Sequence, residues 1–338
     1  MENLKFSVCV PTYNMGDLLG QTIKNVLSQT YSNFEIVISD NNSSDNTQEI
    51  VRSFKDERIK YFKNEENLGY YKNLCLSFER AAGDIIYLLS GKSLISKDAL
   101  EKTCNAFNLS DDIGAVTRPY YWYGKDVNTV VRKKDKVAID EDLVVSIDDD
   151  PELIIKVVHL LDNPAGLAFR KKYMNRSFNQ DAFVEFTYPF IAIWKEHKIV
   201  VLKDYTMACP AFSYSGSQNP KVYEKSPMQC WIDLFETVFK EEKFKNLREI
   251  CIRDFVAVNY IGLVQVRNYA RKYSFLIREI VMLLKYRWQN IFNFRFWFFS
   301  LGTMIMPRFI LKKIVAIYKA KINSRIIKTQ GDNICLKQ

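Results

Sequence analysis

Four short apolar stretches, three of them followed by a segment with helical spacing, constrain this chain more than any other feature. "FSVCV" (6–10), "FEIVIS" (34–39), "IKYFK" (59–63) and "DIIYLL" (84–89) have the length and residue types of strands. After the first comes "GDLLGQTIKNVLSQT" (16–30), where Leu18, Leu19, Ile23, Val26 and Leu27 fall on one helical face behind Asp17. "SSDNTQEIVRSF" (43–54) reads as a helix entered through a polar turn rich in capping residues. "NLGYYKNLCLSFERAAG" (67–83) reads as a third helix, stopped at Gly83. Strands separated by helices imply parallel pairing through right-handed crossovers. In such sheets ligands bind beyond the carboxyl ends of the strands. The informative residues are therefore "PTYN" (11–14), "DNNSSD" (40–45), "NLG" (67–69) and "SGKS" (90–93).

The Gly-Lys-Ser of "SGKS" is not a P-loop. That loop needs a glycine five positions before the Gly-Lys, and position 86 is Ile86. Other chemistries are also narrowed. Two histidines leave little room for a zinc site or a histidine-based triad, and the seven cysteines show no C-x-x-C spacing. Free buried thiols in a reducing compartment are expected. "MENLKFSVCVPTYN" lacks a charged start followed by a long apolar core, so no signal peptide is expected and the location reads as cytoplasmic.

The 338 residues, 48% hydrophobic, suit one or two globular domains. From Arg267 to Lys328 there are fourteen Lys or Arg and one acid, Glu279. That segment carries +13; the whole chain carries +9, which leaves −4 elsewhere. A mildly acidic body with a strongly basic tail suggests an anionic surface as partner. Between body and tail, "GAVTRPYYWYG" and "DKVAIDED" suggest strands and loops. "DPELIIKVVHLLDN" reads as an amphipathic helix, "GLAFR" as a short strand, "VEFTYPFIAIWKEH" as helical apart from Pro189, and "KIVVL" as a strand.

Two stretches carry a resemblance: "VCVPTYNMGDLLGQTIKNVLSQTYSNFEIVISDNNSSDNT", then "NEENLGYYKNLCLSFERAAGDIIYLLS". In order and spacing they resemble the family-2 nucleotide-sugar glycosyltransferases. The resemblance covers roughly the first hundred residues densely and the middle only loosely. It implies a GT-A fold, that is, an α/β architecture with a Rossmann-like, mostly parallel central sheet flanked by helices. The expected organisation is a glycosyltransferase domain over 1–220, with a nucleotide-binding half to about 110 and an acceptor half to 220. A helical, basic, membrane-associating region over 221–338 follows.

The resemblance also implies roles. Pro11, Thr12, Tyr13 and Asn14 form a backbone wall against the base, and Asp40 holds base or ribose. The alternative for Asp40 is a turn-forming Asx residue. Asn67 and Gly69 let the backbone pass close to the nucleotide, with Lys72 one helical turn on; a solvated surface lysine is the other reading of Lys72. After the fourth strand the family carries a carboxylate cluster that holds Mg²⁺ or Mn²⁺ against the diphosphate. Here Ser90 is followed by Gly91, Lys92 and Ser93, which a hard cation does not choose as ligands. No metal ligand is therefore assigned. Three readings stay open. Lys92 replaces the metal as a fixed cation; the chain binds without transferring; or ligands come from elsewhere, with Asp148–Asp150 in "IDDDPEL" the candidate. Those three aspartates also suit the N-terminus of the following helix.

Inverting transfer needs a base for the acceptor hydroxyl. The family places a carboxylate at the start of a helix that leads into a strand of the "KIVVL" type, which points to Glu185, with Asp181 as rival. "NPAGLAFRK" resembles the acceptor-side strand, with Arg170 after it. In the tail, basic residues interleave with bulky apolar ones, and the longest uncharged run, 296–307, is too short to span a bilayer. This pattern reads as interfacial helices on an anionic membrane surface, with no nucleic-acid role. The expected activity is sugar transfer from a nucleotide sugar to a lipid-linked saccharide acceptor in cell-surface polysaccharide biosynthesis, such as O-antigen or capsule, peripheral on the inner face of the cell membrane. The alternative is a catalytically degenerate nucleotide-sugar-binding or assembly subunit.

Overall fold

A computed structural model describes residues 2–124, 126–174, 183–211 and 220–324. The alternation read from the sequence is realised as β1 (Phe6–Thr12), α1 (Gly16–Leu27), β2 (Phe34–Asp40), α2 (Thr47–Ser53), β3 (Ile59–Lys63), α3 (Tyr70–Glu79) and β4 (Ile85–Leu88). β1 pairs in parallel with β2 on one side and β4 on the other, and β3 extends the sheet beyond β2. Every residue of β1 and β2 is buried. Strands covered on both faces have no polar side to show, which is why these runs read as continuous apolar stretches. α1 lays Leu19, Ile23 and Val26 against that sheet's core.

α3 ends earlier than the sequence suggests. Its last residue is Glu79 with Arg80 as C-cap, not a stop at Gly83. Gly83 serves packing instead. A Cβ there would come within 2.6 Å of the Lys5 carbonyl oxygen and 2.8 Å of the Ser7 nitrogen. Only glycine lets the chain pass β1 so closely.

Beyond β4 the chain forms β5 (Leu94–Ile95), α4 (Ala99–Phe107), β6 (Ile113–Thr117), β7 (Tyr120–Tyr123), β8 (Val130–Lys133) and β9 (Leu143–Val145). Then follow α5 (Pro151–Val158), β10 (Ala168–Arg170), α6 (Thr187–Trp194), β11 (Lys198–Val201) and β12 (Met207–Pro210). The main sheet has the order β3-β2-β1-β4-β10-β6-β11-β9. Strands β1 to β4 are parallel; β10 runs antiparallel to both β4 and β6, and β9 antiparallel to β11. A smaller sheet, β5-β12-β7-β8, stands beside it in the chain's connectivity. The segment 135–142, read from sequence as part strand, is the link between β8 and β9. This is the mixed α/β architecture of the GT-A fold.

The chain divides into two compact units. The first contains described residues 2–174 and 185–211; the second contains 183–184 and 220–324. The second is helical: α7 (Pro227–Val238), α8 (Lys245–Ile250), α9 (Gly262–Tyr269), α10 (Tyr273–Tyr286), α11 (Phe294–Ile305) and α12 (Arg308–Ser324). Pro307 separates the last two, since its ring cannot continue α11. The one acid of the basic segment, Glu279, is buried. It accepts hydrogen bonds from Ser226 at 2.8 Å and from the Met228 N–H at 3.3 Å, and pairs with Arg278 at 3.1 Å. Buried Asn290 donates to the carbonyls of Ala257 and Leu283 and accepts from Tyr260 at 2.6 Å. Large apolar side chains nevertheless face outward along the end of this unit: Phe292 is 80% exposed and Phe294 79%, with Phe298, Ile305 and Phe309 also exposed. Among the described residues no helix is long and apolar enough to cross a membrane.

Candidate active site

The first three strand-end loops are tied together by side-chain hydrogen bonds. Asn14 takes a left-handed backbone, φ 51°, a conformation asparagine tolerates better than most residues. Its N–H donates to the Ser43 hydroxyl oxygen at 2.9 Å, and its side-chain oxygen accepts from the Ser44 N–H at 2.9 Å. The Ser43 hydroxyl donates onward to Asp40 Oδ1 at 2.5 Å. Asp40 is fully buried; Oδ1 also takes the Ser43 N–H at 2.9 Å, and Oδ2 takes the Tyr61 hydroxyl at 2.6 Å. The Asp40 carboxylate thus holds the backbone three residues on and connects to "PTYN" through Ser43. Pro11 and Thr12 are buried, while Tyr13 is 46% exposed beside them. Asp45 joins the same loops from the other side, accepting from the N–H groups of Gly16 and Thr47, each at 3.1 Å. Burial opposes ionisation of Asp45, but those bonds and the Thr47 hydroxyl outweigh it and hold the carboxyl below its ordinary value.

"NLG" is attached through Asn41. Its side-chain NH₂ donates to Asn67 Oδ1 at 2.8 Å, and its oxygen accepts from the Leu68 N–H at 2.9 Å. Asn67 Oδ1 also accepts from the Gly69 N–H at 3.0 Å. Gly69 has φ 82° and opens α3 with nothing near its absent Cβ, so a ligand has room to approach its backbone. Lys72 is exposed one turn further on. Beneath the loops, buried Asn73 accepts from Ser39 at 2.7 Å and from Asn64 at 3.0 Å, and Arg80 bonds both of those donors' residues.

"SGKS" follows β4 as a tight turn. The Ser93 N–H donates to the Ser90 carbonyl at 3.1 Å, and the two hydroxyls lie 2.7 Å apart. Ser93 is buried and its carbonyl accepts from Thr22. Gly91 lies against the "PTYN" strand end: a Cβ on it would sit 3.2 Å from Thr12 Oγ1. Lys92, between them, is half-buried, and desolvation lowers its ammonium pKa below the ordinary lysine value.

The segment 166–167 meets β4 directly. The Leu88 N–H donates to the Leu167 carbonyl at 2.9 Å, and the Gly166 N–H to the Leu88 carbonyl at 2.6 Å. Gly166, φ 84°, has Arg118 where a Cβ would go. Arg118 is fully buried and donates to the carbonyls of Leu160, Asn163 and Ala165. Arg170, by contrast, is tied to the carbonyls of Ile113 and Phe107 and to Glu2, which is the duty of a charged strand end. Glu185 is buried, 2% exposed, just ahead of α6, whose Thr187 donates to the Leu161 carbonyl at 3.3 Å. Desolvation of the Tyr70 hydroxyl, and after it the Glu185 charge, raises that phenol above its ordinary value, so Glu185 lies within electrostatic reach of the start of α3. Asp181 lies outside the described residues. Asp150 caps α5 through the Glu152 N–H at 2.8 Å, and Asp149 accepts from the Ser146 N–H at 2.8 Å. These acids follow β9, the far edge strand of the sheet, and do not approach β4.

Asn41, Ser43, Tyr61, Asn73 and Arg118 were not singled out by sequence. A cluster of asparagines and serines directly after strands is the only signal that pointed to the first two.

The sequence profile of glycosyl transferase family 2 matches residues 7–174. A Campylobacter jejuni GalNAc(5)-diNAcBac-PP-undecaprenol beta-1,3-glucosyltransferase is 33% identical over 144 residues, 39% of this chain and 47% of that one. The Escherichia coli UDP-Glc:alpha-D-GlcNAc-diphosphoundecaprenol beta-1,3-glucosyltransferase WfgD is 34% identical over 101 residues, 30% of this chain and 40% of its own. The chain thus spans less than half the length of either of these curated relatives. Among solved structures, Staphylococcus aureus TarS 1–349 in complex with UDP superposes with a TM-score of 0.62 at 17% identity, covering 95% of this chain and 89% of that one. The Pyrobaculum calidifontis mannosyltransferase PcManGT, solved with GDP-Man and Mn²⁺, gives 0.54 at 15%, covering 90% and 87%. These likenesses show the fold. Through residues 7–174, the chain belongs to glycosyl transferase family 2.

Proposed function

We propose that this protein is an inverting glycosyltransferase that moves a sugar from a nucleotide sugar to a lipid-linked saccharide in cell-surface polysaccharide assembly. The observation that carries the reading is the hydrogen-bonded union of Asn14, Ser43 and Asp40 with the Asn41–Asn67 pair at the carboxyl ends of β1 and β2. That union makes a stiff wall of backbone, with exposed Tyr13 and an open glycine at position 69, suited to a flat base and its ribose. Pro11, Thr12, Tyr13 and Asn14 supply the wall, and Asp40 holds it in place. Asn67, Gly69 and Lys72 flank the ribose and phosphates, and the turn Ser90–Ser93 faces the diphosphate. Glu185 takes the proton of the acceptor hydroxyl as that oxygen attacks the anomeric carbon and the nucleoside diphosphate leaves. Asp181 is the other carboxylate in that stretch of sequence. The named reactions of the two undecaprenol-linked relatives support a lipid-linked acceptor.

A membrane-surface location accompanies this reading, peripheral on the cytoplasmic face. The second unit supports it by presenting Trp288, Phe292, Phe294, Phe298, Ile305 and Phe309 outward among arginines and lysines. Aromatics in the headgroup layer with cations on lipid phosphates are the chemistry of interfacial helices. The glycosyltransferase domain runs to about residue 220, and this unit follows it.

The reading is tested with full-length protein, a panel of UDP-, GDP- and dTDP-sugars, and undecaprenyl-diphosphate-linked saccharides. Transfer of labelled sugar to the lipid fraction is expected. Nucleotide-sugar binding without transfer to any acceptor favours the second reading, a non-catalytic binding subunit, for which the lack of a carboxylate in the turn Ser90–Ser93 speaks.

A further inference from the structure

The resemblance implies a divalent cation held by carboxylates after β4, and the residues there do not fit one. Gly91 brings no donor atom and Lys92 brings a positive charge. The Ser93 side chain is 1% exposed and already bonded to the Ser90 hydroxyl. Cys209 is the other titratable neighbour, and burial pushes its thiol up to about 12, so it stays protonated and is a poor ligand at neutral pH. Among the described residues no group of three or more His, Cys, Asp or Glu is placed to hold a metal ion. Asp149 and Asp150 are committed to turn and cap bonds, and all three acids follow β9 at the far edge of the sheet.

The surroundings of the turn are instead cationic. β5 and β12 pair antiparallel with Met207 opposite Ile95 and Ala208 opposite Leu94. That pairing brings β12 to the end of the turn, and Cys209, the next residue of β12, lies within electrostatic reach of Lys92. Cys209 Sγ accepts from the Asn163 side-chain NH₂ at 3.7 Å, and the Asn163 carbonyl accepts from Arg118 at 2.9 Å. Lys92 and Arg118 both act electrostatically on that one thiol, each opposing the upward push of burial on it. All the hydrogen bonds that Arg118 donates end on carbonyl oxygens; among the described residues no carboxylate forms an ion pair with it. Asp162, the acid near it, is taken by Lys134 at 2.6 Å and the Tyr120 hydroxyl at 2.8 Å. A buried guanidinium without a carboxylate is costly, and it leaves a net positive field in a low-dielectric place.

We propose that this chain binds the diphosphate of its donor without a divalent cation, with the Lys92 ammonium on the phosphate oxygens and Arg118 as a fixed buried charge behind it. The inference rests on the donor reading above. Lys92 does by direct contact what a metal does by coordination: it offsets the charge that grows on the diphosphate as the sugar leaves. Arg118 holds the Asn163–Gly166 segment at the end of β4 and makes the turn a site for anions.

Calorimetric titration of UDP, GDP and dTDP into wild type, Lys92→Ala and Lys92→Arg, each with EDTA and with Mn²⁺, tests this. At least one nucleotide is expected to bind wild type equally in EDTA and Mn²⁺. Lys92→Ala is expected to weaken it by roughly ten- to a hundred-fold, as for loss of a charge-assisted contact. Lys92→Arg is expected to keep most of the affinity, and binding is expected to weaken with added salt. Unchanged thermal melting of Lys92→Ala shows that the loss is local. Wild-type binding that requires Mn²⁺, or an unaltered Lys92→Ala, overturns the proposal and leaves the donor reading standing. Absence of binding by wild type to every nucleotide under both conditions overturns the donor reading and this proposal with it.

Discussion

The Tyr61 hydroxyl donates to Asp40 Oδ2 at 2.6 Å, so the acid at the end of β2 is held by the neighbouring strand rather than left facing solvent. The same contact, after burial of the ring, raises the Tyr61 phenol well above its ordinary value. Tyr61→Phe strips one bond from a fully buried carboxylate, which costs about 1–3 kcal/mol of stability. Ser43→Ala strips a comparable bond from Asp40 and also cuts its link to the Asn14 N–H. Urea denaturation is expected to show a similar loss for both variants, and only Ser43→Ala is expected to weaken nucleoside-diphosphate binding. Equal binding losses in the two variants would place the base contact on Asp40 itself.

Acid stability is expected to depend on Glu35. It is buried and accepts from Ser7 at 2.6 Å, the Ala82 N–H at 2.7 Å and Lys5 at 3.3 Å. Burial favours the neutral acid, but these donors outweigh it and the folded pKa lies below the ordinary 4.5. A depressed carboxyl contributes stability above its unfolded pKa and loses it as pH falls through the folded one. Unfolding free energy measured from neutral pH downward is expected to drop below about pH 4.5. Glu35→Gln should be less stable at neutral pH and flatter across that range.

Glu185→Gln is expected to reduce sugar transfer by on the order of 10²–10⁴-fold, the usual worth of a general base. Donor binding should stay within a few-fold. If Asp181→Asn abolishes turnover while Glu185→Gln retains it, the base is Asp181.

The outward aromatics of the second unit are expected to govern membrane binding. Phe294→Ser with Phe298→Ser should lower co-sedimentation with phosphatidylglycerol vesicles and leave melting of the protein unchanged, since both rings are exposed. Vesicles of neutral lipid should pellet less protein, and salt should release it. Equal pelleting of the variant and the wild type would remove these side chains from the interface.

Restoring an acid within the turn is expected to be harmful. Ser93 is buried and bonded to Ser90, so Ser93→Asp places a carboxylate where it loses water. Its cost in stability should exceed that of Ser93→Ala, with or without Mn²⁺, by chemical denaturation. A Mn²⁺-dependent gain in stability would show that the turn opens to hold metal after all.

Strands β1 to β4 and the helices between them are legible in the sequence. The short apolar runs of β1 and β2, bounded by turn residues and separated by a helical segment, read as strands buried on both faces, which puts the polar residues directly after them at the carboxyl ends of a parallel sheet. Local spacing is enough for that, because strand, crossover helix and next strand are neighbours in the chain. The basic residues interleaved with bulky apolar ones likewise made the exposed apolar character of the tail legible. Tertiary structure decided what no local pattern encodes. β10 inserts antiparallel between β4 and β6, residues distant in sequence, and thereby brings Asn163 and Gly166 to the end of β4. β12 pairs with β5, the strand that directly follows the turn carrying Lys92, and so brings Cys209 within electrostatic reach of that lysine. Arg118 looked like any charged residue in a strand-rich stretch; only the folding of Leu160–Ala165 around it made it a buried cation. Long-range pairing is chosen by the total burial of the sheet and its helices, so the partners of such residues become legible only when the whole core is assembled.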